Sequence, residues 1–495
     1  MPARTTIYLL VNIAFMLGVA VATAVQGSGG TSLLYLIALF GLCSAPLLSL
    51  RSLNGRYALL AVFMAFYFLF FGMMDFLAVL SGAPAPDAVD DPATVEFAIL
   101  VGAVCALGGY HITAATAGGT QRSQLVDWPK VFILSVGLAL WLIGSSSLIY
   151  SQVYVIPEKT NMAAQRGYAE LGAALTFIVM LGNMVAPLGL LILSYGYAKF
   201  RTRFWLVLIL GMLAAQVVLA FVTDIRGQAI IPPGFVIVAL TLKDGKLPKA
   251  WLVGALLTLP AIYPILTAYR VEITGGRGLS REQAVNNLGK VVDIVLGSVK
   301  SGKGEENQAS IFERASLKGN VEIAFAHTGV DRPFQEGHTL LAIPLAFIPR
   351  IIWPSKPDVQ TGQLFNHEFF PGGVADTYIS PSHFGELYWN FGWPGIIVGM
   401  LLIGMLLGFV GAKTDLEQRP SVTRVLILLA TVQYLCTGFE GAMSISYVLW
   451  LRSLAAIGLL HLLFTRAAKP EHRSGPVATT TPVAVAGPRF PNLLH

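Results

Sequence analysis

Long apolar segments recur along most of this chain and are separated by short polar connections. A helix needs roughly 20 apolar residues to cross the ~30 Å hydrocarbon layer of a bilayer. The eighth segment is the shortest, and it contains two consecutive prolines near its start. The pattern predicts about twelve transmembrane helices, over residues 6–25, 32–50, 57–80, 94–113, 131–150, 172–197, 204–222, 228–242, 251–269, 393–412, 422–439 and 447–464.

The composition agrees with a membrane protein. The 495 residues are 55% hydrophobic and 12% charged, with a mean hydropathy of +0.67, whereas soluble domains are roughly one quarter charged. The first apolar segment is as long as a span and has no clear small-residue cleavage site, so we expect a retained helix rather than a signal peptide. The three cysteines all lie in apolar segments without metal-ligand spacing, which favours small buried side chains.

Positive charge tests the helix count, because cytoplasmic connections of bacterial membrane proteins are enriched in Lys and Arg. With the N-terminus in the cytoplasm, the even-numbered connections carry basic residues, whereas the connection with Asp87, Asp90 and Asp91 has none. The net charge of +6 is therefore explained by topology and not by nucleic acid. The alternation predicts cytoplasmic N- and C-termini in the bacterial inner membrane. It places the long loop after the ninth helix outside the cytoplasm.

The predicted domains are residues 1–269 with helices 1–9, the large periplasmic loop 270–392, residues 393–466 with helices 10–12, and a disordered cytoplasmic tail at 467–495. Loops of this length are usually functional or disordered, and the many aromatic residues of the loop favour an ordered structure. Its residues 284–300 have the apolar spacing of a helix. Residues 340–353 are apolar but short and interrupted by prolines, which is typical of a re-entrant or interfacial segment.

Basic residues near the outer face are candidates for anion binding, because the topology rule disfavours them there. Arginine binds phosphate through a planar, permanently charged fork, so this set suits a lipid-linked diphosphate. The alternative is that they pair with loop carboxylates or lipid headgroups. The candidates are Arg166, Arg226, Arg270, Arg277, Arg281, Arg350 and Lys356.

His383 and Glu386 are the candidates for proton transfer. They are three residues apart, so they share one face of a helix that starts nearby. Either side chain could take a proton from a sugar hydroxyl. The alternative is a helix-start motif in which a serine caps the helix and Glu386 bonds first-turn amides. Trp353 and Tyr388 offer faces for sugar stacking, although core packing explains them equally well. The histidine spacing is irregular, so no metal site is predicted.

Two segments resemble a known family. Residues 349–357 are Pro-Arg-Ile-Ile-Trp-Pro-Ser-Lys-Pro, and residues 380–395 contain Ser-Pro and then Gly-Glu-Leu-Tyr-x-Asn-Phe-Gly-x-x-Gly. Together with the helix count and the large outer loop, they resemble the Wzy-type oligosaccharide repeat-unit polymerases, also called O-antigen polymerases. The resemblance implies an all-α, GT-C-like membrane fold and a glycosyltransferase without cofactor. Such an enzyme transfers a glycan from undecaprenyl diphosphate to the sugar of another lipid-linked repeat unit at the periplasmic face.

One mechanism is consistent with both the residues and the resemblance, and we state it as a hypothesis. Arg350 and Lys356 would hold the donor diphosphate, His383 or Glu386 would deprotonate the acceptor, and a flippase and a chain-length regulator would be protein partners beside the membrane lipid. Three other functions stay open. The first is an O-antigen ligase or related glycosyltransferase, which uses the same donor. The second is a transporter or flippase of an anionic or lipid-linked substrate, which would use charges within the membrane. The third is a structural scaffold, which would need neither the donor nor such charges.

Overall fold

The computed structural model describes residues 8–18, 33–50, 53, 55–81, 92–117, 128–155, 161–223, 225, 227–269, 317–345, 348, 353, 360–371, 378–417 and 421–467. Within these ranges the chain is helical and contains no strand beyond one isolated bridge between Thr328 and Arg332. The prediction of an all-α protein is therefore confirmed. The predicted helix at 284–300 and residues 468–495 lie outside the described ranges.

The helices before the long loop are α1 (Tyr8–Gly18), α2 (Leu33–Ser44, continued by Pro46–Ser49), α3 (Ala58–Phe71), α4 (Met73–Ser81), α5 (Pro92–Thr116), α6 (Lys130–Ile149, extended by Tyr150–Val155), α7 (Asn161–Phe200), α8 (Arg203–Thr223), α9 (Gly227–Asp244) and α10 (Lys249–Tyr269). The loop contributes α11 (Lys318–His327), two short turns (His338–Leu341 and Ala342–Leu345) and α12 (Thr361–Phe369). The chain then forms α13 (Ser382–Lys413), α14 (Val422–Thr431, continued by turns to Glu440) and α15 (Met443–Ala467).

Seven of the described helices are long and apolar enough to cross a membrane, so the chain is a multi-pass membrane protein. They are Pro92–Thr116, Lys130–Val155, Leu181–Phe200, Arg203–Thr223, Ser382–Lys413, Val422–Glu440 and Met443–Leu463. Each of the twelve predicted segments coincides with a helix, but α1, α2 and α3 are shorter apolar helices, and α9 and α10 are not among the seven. Twelve spans therefore stay a prediction.

The central contact of the bundle is the close packing of α5 against α13. A methyl group at Gly404 would overlap the backbone carbonyl of Ala106, and one at Gly109 would overlap the carbonyl of Leu401. Small residues on both helices let the two backbones touch, as is common between membrane helices. The packing holds the membrane part of α13 in a fixed position, and the outer part of the same helix carries the candidate residues for proton transfer.

A kink at Gly392 divides α13 into an outer half-helix, residues 382–391, and a membrane half. Gly392 has φ 63° and ψ −144°, a conformation open almost only to glycine. Pro394 has no amide hydrogen for the carbonyl of Asn390 four residues earlier. The amide of Glu336 donates to that carbonyl instead, at 3.1 Å, and the amide of Gln335 donates to the carbonyl of Trp389 at 3.0 Å. The loop thus completes the backbone hydrogen bonding of the kinked helix.

The segment predicted to be re-entrant, residues 340–353, begins with the turn His338–Leu341 and continues into Ala342–Leu345, which packs against α15. Contact with a membrane helix is what a re-entrant or interfacial segment requires. From residue 346 onward only Ile348 and Trp353 belong to the described part of this segment.

Candidate functional site

The outer half-helix begins at a strained serine. Ser382 has φ 63°, which is unusual for a residue with a side chain. Its hydroxyl accepts a hydrogen bond from the amide of Gly385 at 3.2 Å, as an N-cap residue does. The sequence Ser-Pro-Ser therefore starts this helix, and the next turn places both His383 and Glu386 in the interior, with 1% and 0% of their surfaces exposed.

Glu386 joins three separate segments. One carboxylate oxygen accepts the Thr339 hydroxyl at 2.8 Å, and the other accepts the backbone amide of Met443 at 2.7 Å. Met443 is the first residue of α15, so its amide has no carbonyl partner within that helix. The carboxylate therefore caps α15, where a negative charge also suits the helix dipole. The sequence alternative had Glu386 bonding first-turn amides of its own helix; in the structure it caps a different helix.

Asn390 extends this arrangement by one helical turn. Its amide nitrogen donates to the Thr339 hydroxyl at 2.7 Å and to the carbonyl of Glu386 at 2.7 Å. Its carbonyl oxygen accepts the amide of Gly337 at 2.9 Å. Thr339 is thus a hydrogen-bond acceptor from Asn390 and a donor to Glu386, which fixes the direction of its hydroxyl proton. Sequence reasoning missed Thr339, which carries no local signal.

His383 has a different environment. Its ring lies 5.0 Å from the ring of Phe439 and 5.4 Å from that of Tyr447. Within the part of the chain that the structure describes, neither ring nitrogen has a hydrogen-bond partner. An unsatisfied polar group in an apolar interior is costly, and a site that receives a substrate hydroxyl is one setting in which such a cost persists. His383 and Glu386 share a helix face but not a hydrogen bond.

An apolar groove lies along α13, and Leu387, the residue after Glu386, is part of its lining. Its volume is about 480 Å³, and it runs along the membrane half of α13 towards Leu406, roughly 20 Å from Phe391 at 1.5 Å per residue. Its outer end is walled by Leu340, Leu387 and Met443. Leu340 follows Thr339 in the chain, Leu387 follows Glu386, and the amide of Met443 donates to the Glu386 carboxylate. The groove therefore extends from residues next to the buried acid along the candidate span Ser382–Lys413.

A second carboxylate ties the loop to the outer half-helix. Glu368 in α12 accepts the side-chain amide of Gln335 and the indole N–H of Trp389, both at 3.0 Å. Burial raises the pKa of Glu368, although both hydrogen bonds act in the opposite direction. Trp389 is fully buried beside the rings of Phe365 and Phe369. It therefore packs the outer half-helix against α12 of the loop.

The two aromatic candidates for sugar stacking differ in exposure. Tyr388 is half-buried, and one face of its ring stacks on Phe325 with centroids 3.6 Å apart. Trp353 has 37% of its surface exposed. Packing accounts for at least one face of Tyr388, whereas Trp353 presents an accessible aromatic surface.

Charges near the starts of α4 and α5 also meet the loop. The ammonium of Lys318 lies 3.3 Å from Asp75 and 3.1 Å from Glu96, and all three side chains are buried. Burial alone lowers the pKa of Lys318, but the two carboxylates outweigh it and the pKa is raised above the ordinary value. The sequence analysis drew no role for these residues.

The structure brings together His383, Glu386 and Tyr388 of the predicted site residues. Arg226, Arg270, Arg277, Arg281, Arg350 and Lys356 lie outside the described ranges. Arg166 lies within α7, but the structure does not describe its side chain. The anion-binding roles of these residues stay predictions.

One charged residue was overlooked although its position is visible in the sequence. Arg452 is the tenth residue of α15 and lies in the interior of a candidate span. Its side chain is exposed on the same face as Ile445 and Leu459. Ionisable residues at such depth are costly and usually functional.

Comparison of the chain with protein-family models, curated proteins and solved structures gives no match.

Proposed function

We propose that this chain is a polymerase of lipid-linked oligosaccharide repeat units in the bacterial inner membrane. In this proposal the chain has twelve spans, a GT-C-like fold and cytoplasmic termini, and the large loop works at the periplasmic face. The observation that carries the proposal is an apolar groove lined by Leu387, which follows Glu386 in the chain, and by Met443, whose amide donates to the buried Glu386 carboxylate. A polyprenyl chain suits a groove lined by apolar side chains, and the adjoining polar network suits the sugar end of the same molecule.

The reaction replaces the bond between the donor sugar's anomeric carbon and the carrier diphosphate by a glycosidic bond. A hydroxyl of the acceptor sugar attacks the anomeric carbon of the donor, the bond to the carrier breaks, and undecaprenyl diphosphate leaves with the bonding electrons. Glu386 or His383 accepts the proton of the attacking hydroxyl. Arg350 and Lys356 neutralise the charge that develops on the leaving diphosphate, and Arg166, Arg226, Arg270, Arg277 and Arg281 supply further contacts to anionic groups or sugars.

The Thr339 hydroxyl shows how an alcohol can reach the carboxylate. It donates to Glu386 at 2.8 Å, a distance suited to proton transfer. In the proposed cycle the turn His338–Leu341 withdraws, and the acceptor hydroxyl takes the position of the Thr339 hydroxyl. Because the other carboxylate oxygen stays on the amide of Met443, the base keeps its orientation during the exchange.

The test is deletion of the gene, followed by analysis of glycans both on the lipid carrier and at the cell surface. We expect single repeat units without a ladder of longer chains, and restoration of the ladder by the wild-type gene. Long chains stranded on the carrier would indicate a ligase instead, and single units trapped on the cytoplasmic side would indicate a flippase. An unchanged glycan pattern would refute a role in this pathway. Complementation with Lys246→Met, an exposed cytoplasmic-side lysine, serves as a control.

A further inference from the structure

The loop is fixed to the membrane helices through a buried lysine. Lys318 begins α11, and only 4% of its surface is exposed. Its ammonium lies 3.3 Å from the carboxylate of Asp75 in α4 and 3.1 Å from that of Glu96 in α5. A buried ammonium is stable only when it is paired and hydrogen-bonded. The position of α11 is therefore tied to two helices that precede it by more than 200 residues.

The backbone reinforces this contact. The amide of Leu317, next to the lysine, donates to the carbonyl of Phe70 at 3.0 Å. Phe70 lies in the last turn of α3, where carbonyls have no further intrahelical partner. The ring of Tyr35 lies 5.5 Å from the ammonium of Lys318, within range of a cation–π interaction. Charge, backbone and aromatic contacts thus hold the first turn of α11 at one place.

The same helix also touches the outer half-helix around the candidate catalytic residues. Asn320 donates to the carbonyl of Ser380 at 2.9 Å. Val321 packs on Gly385, where a Cβ atom would lie in ordinary van der Waals contact, 3.5 Å from a methyl group of Val321. Phe325 stacks on Tyr388 with centroids 3.6 Å apart. These contacts flank His383 and Glu386 on both sides, so a displacement of α11 changes the position of the half-helix that carries them.

We propose that Lys318 is a positioning residue, which aligns the outer half-helix for glycosyl transfer by holding α11 between Asp75 and Glu96. This inference rests on the proposed function, because it names a residue that supports the same site without touching substrate. It makes Asp75 and Glu96 acceptors for the loop rather than groups on a transport path. A base that is misplaced by about 1 Å can lose on the order of 100-fold in rate, so the predicted effect is on turnover.

The first test measures position without using activity. In a chain whose three native cysteines are replaced by alanine, Asn320→Cys and Ser380→Cys place two thiols at the contact between α11 and the half-helix. A short thiol cross-linker in native membranes should join them efficiently. Removal of one partner of a buried ion pair is strongly destabilising to that contact, so Lys318→Met should lower the cross-linked fraction about tenfold. Lys318→Arg keeps the positive charge and should restore most of the yield, while Lys246→Met should leave it unchanged.

The second test measures turnover by full-length protein in lipid vesicles with lipid-linked repeat units as substrate. At equal amounts of folded protein, Lys318→Met should reduce kcat about 100-fold with little change in KM, and Lys318→Arg should recover most of the rate. An unchanged cross-link in Lys318→Met would overturn the proposal, and so would a lost cross-link with unchanged kcat. Wild-type protein that forms no polymer would refute the proposed function instead, and the cross-link would still decide whether Lys318 holds α11.

Discussion

The substitution Glu386→Gln separates catalysis from structure at the centre of the site. The carboxylate accepts two hydrogen bonds, from the Thr339 hydroxyl at 2.8 Å and from the Met443 amide at 2.7 Å. Glutamine has nearly the same shape but only one acceptor oxygen, so its NH₂ group faces one of these two donors. One buried donor is left without an acceptor, which costs about 1–3 kcal/mol in free energy of unfolding. Loss of a general base costs about 10²–10⁴-fold in rate.

Thr339→Val is the matched control because it disturbs the same contact but leaves the carboxylate in place. Valine removes the donor to Glu386 and also an acceptor of Asn390, whose amide still bonds the carbonyl of Glu386 at 2.7 Å. We expect a similar cost of about 1–3 kcal/mol in free energy of unfolding. If Glu386 is the base, the loss of rate in Thr339→Val should be far smaller than in Glu386→Gln.

The assay compares both variants with the wild type in lipid vesicles, measuring glycan chain formation from lipid-linked repeat units and thermal unfolding of the same preparations. The expected result is similar lowering of the melting temperature and a difference in rate of about 100-fold between the variants. Equal rates at equal folded amounts would refute Glu386 as the base. They would leave it as the cap of α15, and His383→Ala would then be the variant expected to abolish turnover.

Three further predictions concern the surrounding contacts. Gly404→Leu should force α13 away from the carbonyl of Ala106 and sharply lower the amount of folded protein in membranes, whereas the neighbouring exposed Leu402→Ala should not. Gly392→Ala should destabilise by about 1–3 kcal/mol in thermal unfolding, because φ 63° with ψ −144° is closed to residues with a Cβ atom. Because burial raises the pKa of Glu368, the folded state binds its proton more tightly than the unfolded chain. Acidification should therefore stabilise the wild type relative to Glu368→Gln, and a difference in melting temperature that does not change with pH would contradict this.

The apolar pattern predicted the positions of the seven candidate spans because burial in lipid requires long runs of apolar residues. The predicted segments 94–113 and 204–222 correspond to Pro92–Thr116 and Arg203–Thr223. The same reasoning placed the start of the tenth span at residue 393, whereas α13 begins at Ser382. The extra turns contain His383, Glu386 and Asn390, which the apolar pattern assigns to a loop. They are buried by contacts with the loop and with neighbouring helices, such as that of His383 with Phe439 and Tyr447, so hydropathy does not register them.

The candidate site was predicted only as far as local spacing allows. The positions of His383 and Glu386 on one helix follow from their separation of three residues. The partners of Glu386 do not, since Thr339 and Met443 are 47 and 57 residues away in sequence. Asp75 and Glu96 were visible as charges near span ends, but their common partner lies 243 and 222 residues further along the chain. Such pairings are set by tertiary packing and leave no periodic signal.

The polar residues that bridge loop and membrane helices share a physical task. Glu386 bonds the free amide at the start of α15, Glu336 bonds the carbonyl of Asn390 above Pro394, and Leu317 bonds a carbonyl at the end of α3. Backbone groups at helix ends and kinks have no lipid partner, and leaving them unpaired costs several kcal/mol each. The loop supplies those hydrogen-bond partners, so loop and membrane helices stabilise each other. The candidate site lies at this junction, where its contacts come from tertiary packing rather than from a periodic pattern in the sequence.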